Sequence, residues 1–420
     1  MRLKRFTKPN FLKEIGRELL GRFLSPFVSA LTERKIPLPA PDLRDDEYFG
    51  ALSRVAMSPD GLPDDMIEAL YSIEEMATEE GQERLERAIS QGELALKFGE
   101  KSSRGDIAMQ AYLAAPELLA EKSNEMRLAR LSSFEYYGCK TPVDRSGSFV
   151  EPPPETLALV TADLNAWFTE NNRGEQTVYV EPYAIEGEFW FLVRHGDTFA
   201  RLAKLEKGKL KMLHFRPAKD DVVVYSPKRD EIRIHAGTKG ERELYQRTFG
   251  QRLFGEPKYF SERKAFTLEP LREDGPTALD MEGVGGIDRA VLREYEISFG
   301  GAFNTVVIRK EDDIFESAEA RGQKAIPDAG RVVRATFDVY FEGEAKPRRV
   351  QVRPPNALKL GRYCDAGIIQ RWLSEKKFRD VTKPEKGAAL PYILPPPPLP
   401  LPASLAGAAS LVAAEAAAPA

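Results

Sequence analysis

The chain has 420 residues, 42 % of them apolar and 30 % charged, with a formal net charge of −4. This composition can build a core, which excludes wholesale disorder, and it excludes a globally basic nucleic-acid coat while leaving room for a local basic face. Two cysteines, Cys139 and Cys364, exclude a disulfide scaffold and a four-cysteine zinc site, and three histidines leave little for a histidine-based metal centre.

Residues 1–137 read as an acidic helical domain. Leu12, Ile15, Leu19, Leu20 and Phe23 recur on one helical face. Lys4, Arg5, Lys8, Lys13 and Arg17 would suit an anionic membrane surface if they shared another face. The segment has no continuous apolar stretch of the kind a signal peptide needs. Pro37, Pro39 and Pro41 end this first part. A proline and two aspartates then open a helix with Met66, Ile67, Leu70, Ile73 and Met76 inward. Thr78 starts another helix, and Asp106 and Pro116 two more. Residues 40–90 carry 14 Asp/Glu against 4 Lys/Arg, a local net of −10.

Residues 138–155 hold glycines, serines and Pro152–Pro154, and read as an extended, exposed linker. Thr156 to Asn171 has helical spacing, with Leu157, Val160, Leu164, Trp167 and Phe168 inward. From Gln176 the period changes from 3.6 to 2. Short runs rich in Val, Ile, Phe and Tyr, separated by turn residues, predict an antiparallel meander closed by a helix over Thr238 to Phe254. This makes 156–262 a β domain. Residues 263–380 form a second β-rich block, with strands expected at AFTLEPL, EYEISFG, NTVVIRK, RVVRATFDVYFEG and PRRVQVRPP. KEDDIFESAEARGQ is expected as a helix or loop, and Asp365 is expected to cap a final short helix. Residues 381–420 are rich in proline and alanine and read as a disordered tail. The fold class is therefore α+β: a helical N-terminal domain, antiparallel β-rich domains and a disordered tail. No folding segment has ~18 uncharged apolar residues, so a cytoplasmic protein without a transmembrane segment is expected.

Residues 189–198, FWFLVRHGDT, resemble the RHG signature of the histidine phosphatase superfamily. That resemblance implies His195 as nucleophile and Arg194 and Arg201 as phosphate clamps. It also requires a second histidine, and only His214 and His235 are at hand. Asp338 followed by Glu344-Ala345-Lys346 matches the acid and acid–x–lysine pattern of metal-dependent nucleases, in which the acids bind Mg²⁺. MEGVGGID lacks the spacing of a phosphate-binding loop, and there is no HExxH, CxxC or GxSxG. No cofactor is implied.

The largest asymmetry is charge. Residues 200–264 carry 17 Lys/Arg against 9 Asp/Glu. Lys204, Lys207, Lys209, Lys211, Arg216, Lys228, Arg229 and Arg233 are the candidate contacts for an acidic protein or for nucleic acid. SIEEMATEEGQERL and EFWFLVRHGDTFARL resemble uncharacterised bacterial proteins encoded beside anti-phage defence genes. The resulting expectation is a non-enzymatic binding or scaffolding component of a larger bacterial complex, with other protein subunits as partners. The phosphatase, nuclease and nucleic-acid-binding readings are its alternatives.

Overall fold

A computed structural model describes residues 3–57, 61–99, 101–206, 208–262, 264–344, 346–360, 366–379 and 385–386. The expected disordered tail lies outside them, apart from the last pair. The fold is α+β: an N-terminal helical region followed by a large antiparallel sheet.

The helical region comprises α1 (Pro9–Ile15), α2 (Arg17–Leu24), α3 (Val28–Glu33), α4 (Asp45–Met57), α5 (Asp64–Met76), α6 (Glu79–Ser90), α7 (Arg104–Ala114) and α8 (Pro116–Ala129). The first amphipathic stretch is two helices instead of one, because Gly16 adopts φ +85° and breaks it. Thr78 and Ser103 cap α6 and α7 by accepting from the third amide on, each at 3.1 Å. Leu12, Leu20, Phe23, Ile73, Leu85 and Met109 are among the residues of its core. The buried Glu74 carboxylate accepts from the Lys4 and Arg5 amides at 2.6 and 2.8 Å, which ties the N-terminus down. Arg5 also donates to the Glu74 carbonyl at 2.9 Å. Arg17 pairs with Asp45 at 2.8 Å and lies over the Tyr48 ring. Arg5 and Arg17 are thus tied into the fold, whereas the Lys4, Lys8 and Lys13 side chains are exposed.

The rest of the chain runs β1 (Ser133–Gly138), β2 (Val143–Asp144), α9 (Pro154–Glu170), β3 (Tyr179–Ile185), β4 (Glu188–Gly196), β5 (Ala200–Glu206), β6 (Lys209–Phe215), β7 (Ala218–Ser226), β8 (Glu231–His235) and α10 (Lys239–Phe254). It continues with β9 (Ser261–Glu262), α11 (Pro270–Glu273), β10 (Ile287–Gly300), β11 (Thr305–Lys310), α12 (Ile314–Ala320), β12 (Arg331–Phe341), β13 (Arg348–Arg353), β14 (Ala357–Lys359), α13 (Ala366–Glu375) and β15 (Glu385–Lys386). The order across the main sheet is β11-β10-β12-β13-β14-β1-β8-β7-β4-β3, with β9 also on β1.

The two β blocks are thus halves of one sheet, joined by β1. All of that strand but Gly138 lies inside the span assigned from sequence to the helical domain. It pairs with β14 through Ser133–Glu135 and with β8 through Glu135–Gly138. AFTLEPL is not a strand either. Phe266 makes a single bridge to Arg379, and Pro270 opens a helical turn.

Both faces of the central strands are covered. Trp190, Leu192, Val222 and Val224 belong to one core with Phe337, Ile369 and Trp372. Phe191, Val193, Val223 and Tyr225 belong to another with Val160, Leu164 and Phe168 of α9 and Leu244, Tyr245 and Phe249 of α10. Successive side chains of a strand point to opposite faces, so burial on both sides demands unbroken apolar runs such as FWFLV and VVVY. Helix α10 begins with a capping box between Thr238 and Glu241 and ends at Gly255 in the left-handed conformation.

The expected exposed linker is partly built into this sheet. Cys139 and Arg145 are buried, β2 pairs in parallel with β15, and Phe149 stacks among Phe189, Tyr225 and Phe254. The reason is Asp230, fully buried in the β7–β8 turn. It accepts from the Tyr225 and Tyr259 hydroxyls at 2.8 and 2.7 Å and from the Val143 amide at 3.1 Å. The Cys139 thiol and Arg145 each lie 3.3 Å from it.

Candidate functional site

Strand β4 ends at Gly196 and β7 resumes opposite it at Ala218. Between them the chain leaves the sheet as the β5–β6 ribbon, whose two strands form a sheet of their own. It is therefore not one continuous meander with β4 and β7. Register places Leu202 opposite Leu213 and Lys204 opposite Lys211 on one face. Arg201 opposite His214, Ala203 opposite Met212 and Leu205 opposite Leu210 make the other. Leu202, Leu205, Leu210, Met212 and Leu213 are all exposed, Leu205 by 75 %. Phe199 is exposed at the base.

The base itself is clamped. The Arg216 guanidinium donates to the Asp197 carbonyl at 2.5 Å and the Asn172 carbonyl at 3.3 Å. Asp197 pairs with Arg173 and accepts from the Thr198 amide at 2.7 Å. That amide bond holds the Asp197 carboxyl below its ordinary range, although slight burial opposes it. Arg216 crosses directly over Gly196, where a Cβ would come within 2.6 Å of its Cδ and 2.4 Å of the Arg173 carbonyl. The glycine of the RHG run is thus explained by close packing.

The structure divides the expected basic face. Arg201, Lys209 and Lys211 are exposed on the ribbon and Lys204 is half-buried there; Lys207 lies outside the described residues. Lys228 is exposed in the β7–β8 turn. Arg229 and Arg233 are not partner contacts. Arg229 donates to Gln370 at 2.5 Å, and buried Arg233 grips Glu188 between the Phe134 and Trp190 rings. Arg216 is the clamp just described. Arg242 and Arg252 pair at 2.9 and 2.8 Å with Glu135 and Asp163.

The three histidines do not converge. His214 lies on the exposed ribbon, and His235 places Nδ1 2.7 Å from the Ser133 carbonyl. His195 is 0 % exposed, its ring stacked 4.1 Å from that of Phe168. Its Nδ1 is 3.0 Å from the Gly196 carbonyl and its Nε2 3.1 Å from Asp221 Oδ2. A nucleophile must reach substrate, and this ring does not. Nor is Arg194 an open clamp, since it binds Asp220 at 2.8 and 3.2 Å, and Arg201 sits away on the ribbon.

Around His195 is a buried polar cluster that sequence reasoning missed. Asp221 Oδ2 also accepts from the Tyr245 hydroxyl at 2.9 Å, and Oδ1 lies 3.3 Å from Lys219 Nζ. Lys219 reaches Glu241 at 3.1 Å. Burial alone would raise the Asp221 carboxyl, but the His195 bond and the Lys219 charge outweigh it and hold it below its usual value. Burial, then the nearby Asp221 charge, push the Tyr245 hydroxyl well up. The ligand types were visible in sequence, but their positions on two strands and a helix follow no local spacing.

The nuclease pattern also fails geometrically. Asp338 is buried on β12 between Arg349 at 3.2 Å and Arg293 at 3.3 Å, so arginines hold its oxygens. Glu344 pairs with Arg348, and Lys346 is exposed. Cys139 is inert by environment: burial, then Asp230, push its thiol up to about 12. Among the described residues no helix is long and apolar enough to cross a membrane.

No protein-family model matches the chain, and no curated protein matches it significantly.

Proposed function

We propose that the protein is a non-enzymatic binding component of a larger bacterial complex, and that the β5–β6 ribbon docks in a partner protein's groove with an apolar floor and an acidic rim. The anti-phage setting rests on the sequence resemblance alone. The observation that carries the docking role is a two-stranded ribbon, clamped at its base, with large apolar side chains exposed on both faces. An isolated hairpin is marginal in water, and exposed aliphatic clusters of this kind mark interaction sites.

The chemistry selects the partner. Nucleic acid would pair with Arg201 and Lys209 but leave the leucines and Met212 in water. A lipid core would take the leucines, but it would also have to take the exposed Arg201 and Lys209 of the same ribbon. An apolar groove rimmed with carboxylates satisfies both sets. Completing the burial of the five aliphatic side chains contributes about 1–2 kcal/mol each, which offsets much of the ~4–15 kcal/mol cost of association. The lysines then act chiefly on encounter rate and orientation.

The test is affinity recovery of the tagged chain from its native host. The wild type should bring down a stoichiometric partner. Leu205→Asp/Leu210→Asp should lose it while the unfolding free energy stays within about 0.5 kcal/mol, as expected for exposed positions. A variant that keeps the partner, or a wild type recovered alone, refutes the proposal. Retention of duplex DNA that falls steeply with salt and disappears in Lys209→Glu/Lys211→Glu would replace it with nucleic-acid binding.

A further inference from the structure

We propose that His195, Asp221 and Glu241 form a site for a divalent transition-metal ion of the zinc type, with Lys219 as the cation it displaces. The three side chains are buried, and their ligating atoms lie within 4.8 Å of one another. They come from β4, β7 and α10, so an ion here clasps the strands at the root of the ribbon to the helix behind them. This inference is independent of what the ribbon binds.

A backbone carbonyl only accepts, so His195 Nδ1, 3.0 Å from Gly196 O, carries the proton. Nε2, 3.1 Å from Asp221 Oδ2, donates to it only when the ring carries a second proton; in the neutral ring it presents a lone pair there. Two acceptors face each other in a dry interior, and a positive species must reconcile them. Asp221 Oδ1 is buried and receives no hydrogen bond, only the charge of Lys219 at 3.3 Å.

The surroundings match a metal site. Zinc–nitrogen and zinc–oxygen bonds of about 2.0–2.2 Å in a tetrahedron set ligands roughly 3.3–3.6 Å apart, close to the Nε2–Oδ2 separation. Each ligand is oriented from outside, as metal ligands are. Gly196 O holds the imidazole, the Tyr245 hydroxyl holds Asp221 Oδ2, and the Thr238 amide donates to Glu241 Oε2 at 2.8 Å. Lys219 Nζ sits 3.1–3.3 Å from both carboxylates and so marks where positive charge is stabilised. Its side chain is 29 % exposed, giving it a way out to solvent. With Lys219 swung away, two carboxylates balance a doubly charged ion. The rival occupant is a proton that makes His195 an imidazolium.

The experiment uses the full chain, stripped with chelator and titrated with Zn²⁺ against a chromophoric competitor. Metal content is also measured by plasma mass spectrometry. Wild type should bind one equivalent, and zinc should raise its thermal midpoint. Lys219→Met should bind about ten-fold more tightly, because a competing cation is gone. Asp221→Asn and Glu241→Gln should each weaken binding by about 100-fold or more, with circular dichroism confirming that at least one of them folds. If neither wild type nor Lys219→Met binds zinc, the cluster is filled by a proton and the proposal falls. It falls equally if the folded carboxylate variants bind zinc as wild type does, since the ion then sits elsewhere.

Discussion

Asp230→Asn tests the claim that residues 138–155 are anchored instead of acting as a free linker. The carboxylate accepts from two tyrosine hydroxyls and a backbone amide, at 2.8, 2.7 and 3.1 Å, with Arg145 at 3.3 Å. Hydrogen bonds to a charged acceptor contribute about 1.5–3 kcal/mol against about 0.5–1.5 for neutral ones. Asparagine keeps the shape and tolerates the residue's φ of 49°, so it loses about 1 kcal/mol at each of three bonds, roughly 3 in all. Alanine adds left-handed strain of about 1–2 kcal/mol. For a cooperative unit of about 150–250 residues, 3 kcal/mol lowers the melting temperature by about 6–12 °C. The assay is differential scanning calorimetry, paired with the rate of Cys139 alkylation at pH 8. Alkylation should accelerate, because the variant removes the negative charge that, with burial, keeps the thiol protonated, and weakens the anchoring that shields it. A shift under about 2 °C with Cys139 still protected would refute the reasoning.

Gly196→Ala should destabilise by about 1–3 kcal/mol, as overpacking against backbone does. Hydrogen exchange should localise the loosening to residues 173–177 and 197–217, and an unchanged melting temperature would contradict the packing account of this glycine. Alkaline pH should weaken the sheet. Burial pushes both Cys139 and Tyr136 up to about 12, above ordinary values of 9.0 and 10.0. The unfolded chain therefore releases protons that the folded chain retains. Stability falls as pH rises through 9 and 10, at most about 1.4 kcal/mol per pH unit for each proton, and levels off near 12. Urea midpoints at pH 8 and pH 10.5 measure this, and a midpoint that rises would reverse the sign.

Most helices and hairpins were legible because their signals are local. Pro116 at the first position of α8, Thr238 with Glu241 at the head of α10, and the Glu-Gly and Lys-Gly turns each act within a few residues. What sequence concealed is long-range. SFEYYG at 133–138 follows a run of helices and has no hairpin partner beside it; its partners are β8 and β14. Cys139 reads as linker because Asp230, which draws it inward, lies 91 positions away. Likewise no spacing rule links Arg229 to Gln370 or Arg252 to Asp163, so charges neutralised inside the fold count in a composition window as a basic surface.

The ribbon shows how the same alternation can carry two meanings. In KLKMLHF and ARLAKLE, apolar and polar residues interleave, and with no neighbour known this reads as a strand half-buried in a meander. The strands that do lie within the sheet, β4 and β7, are covered by a core on each face and show continuous apolar runs instead. Beside them an interleaved pair does not fit, because each of its polar side chains would have to enter one of the two cores unpaired. The chain resolves the conflict by pairing β4 directly with β7 and expelling β5 and β6 together. The ribbon's leucines are then left without a core of their own. It follows that the charge on this ribbon, not any shortage of apolar residues, keeps it out of the sheet. Replacing Lys204, Lys209 and Lys211 with valine removes that bar while β4 and β7 remain paired to each other, so the ribbon is expected to pair with other molecules instead; light scattering should show aggregation, and a monodisperse variant would refute the argument.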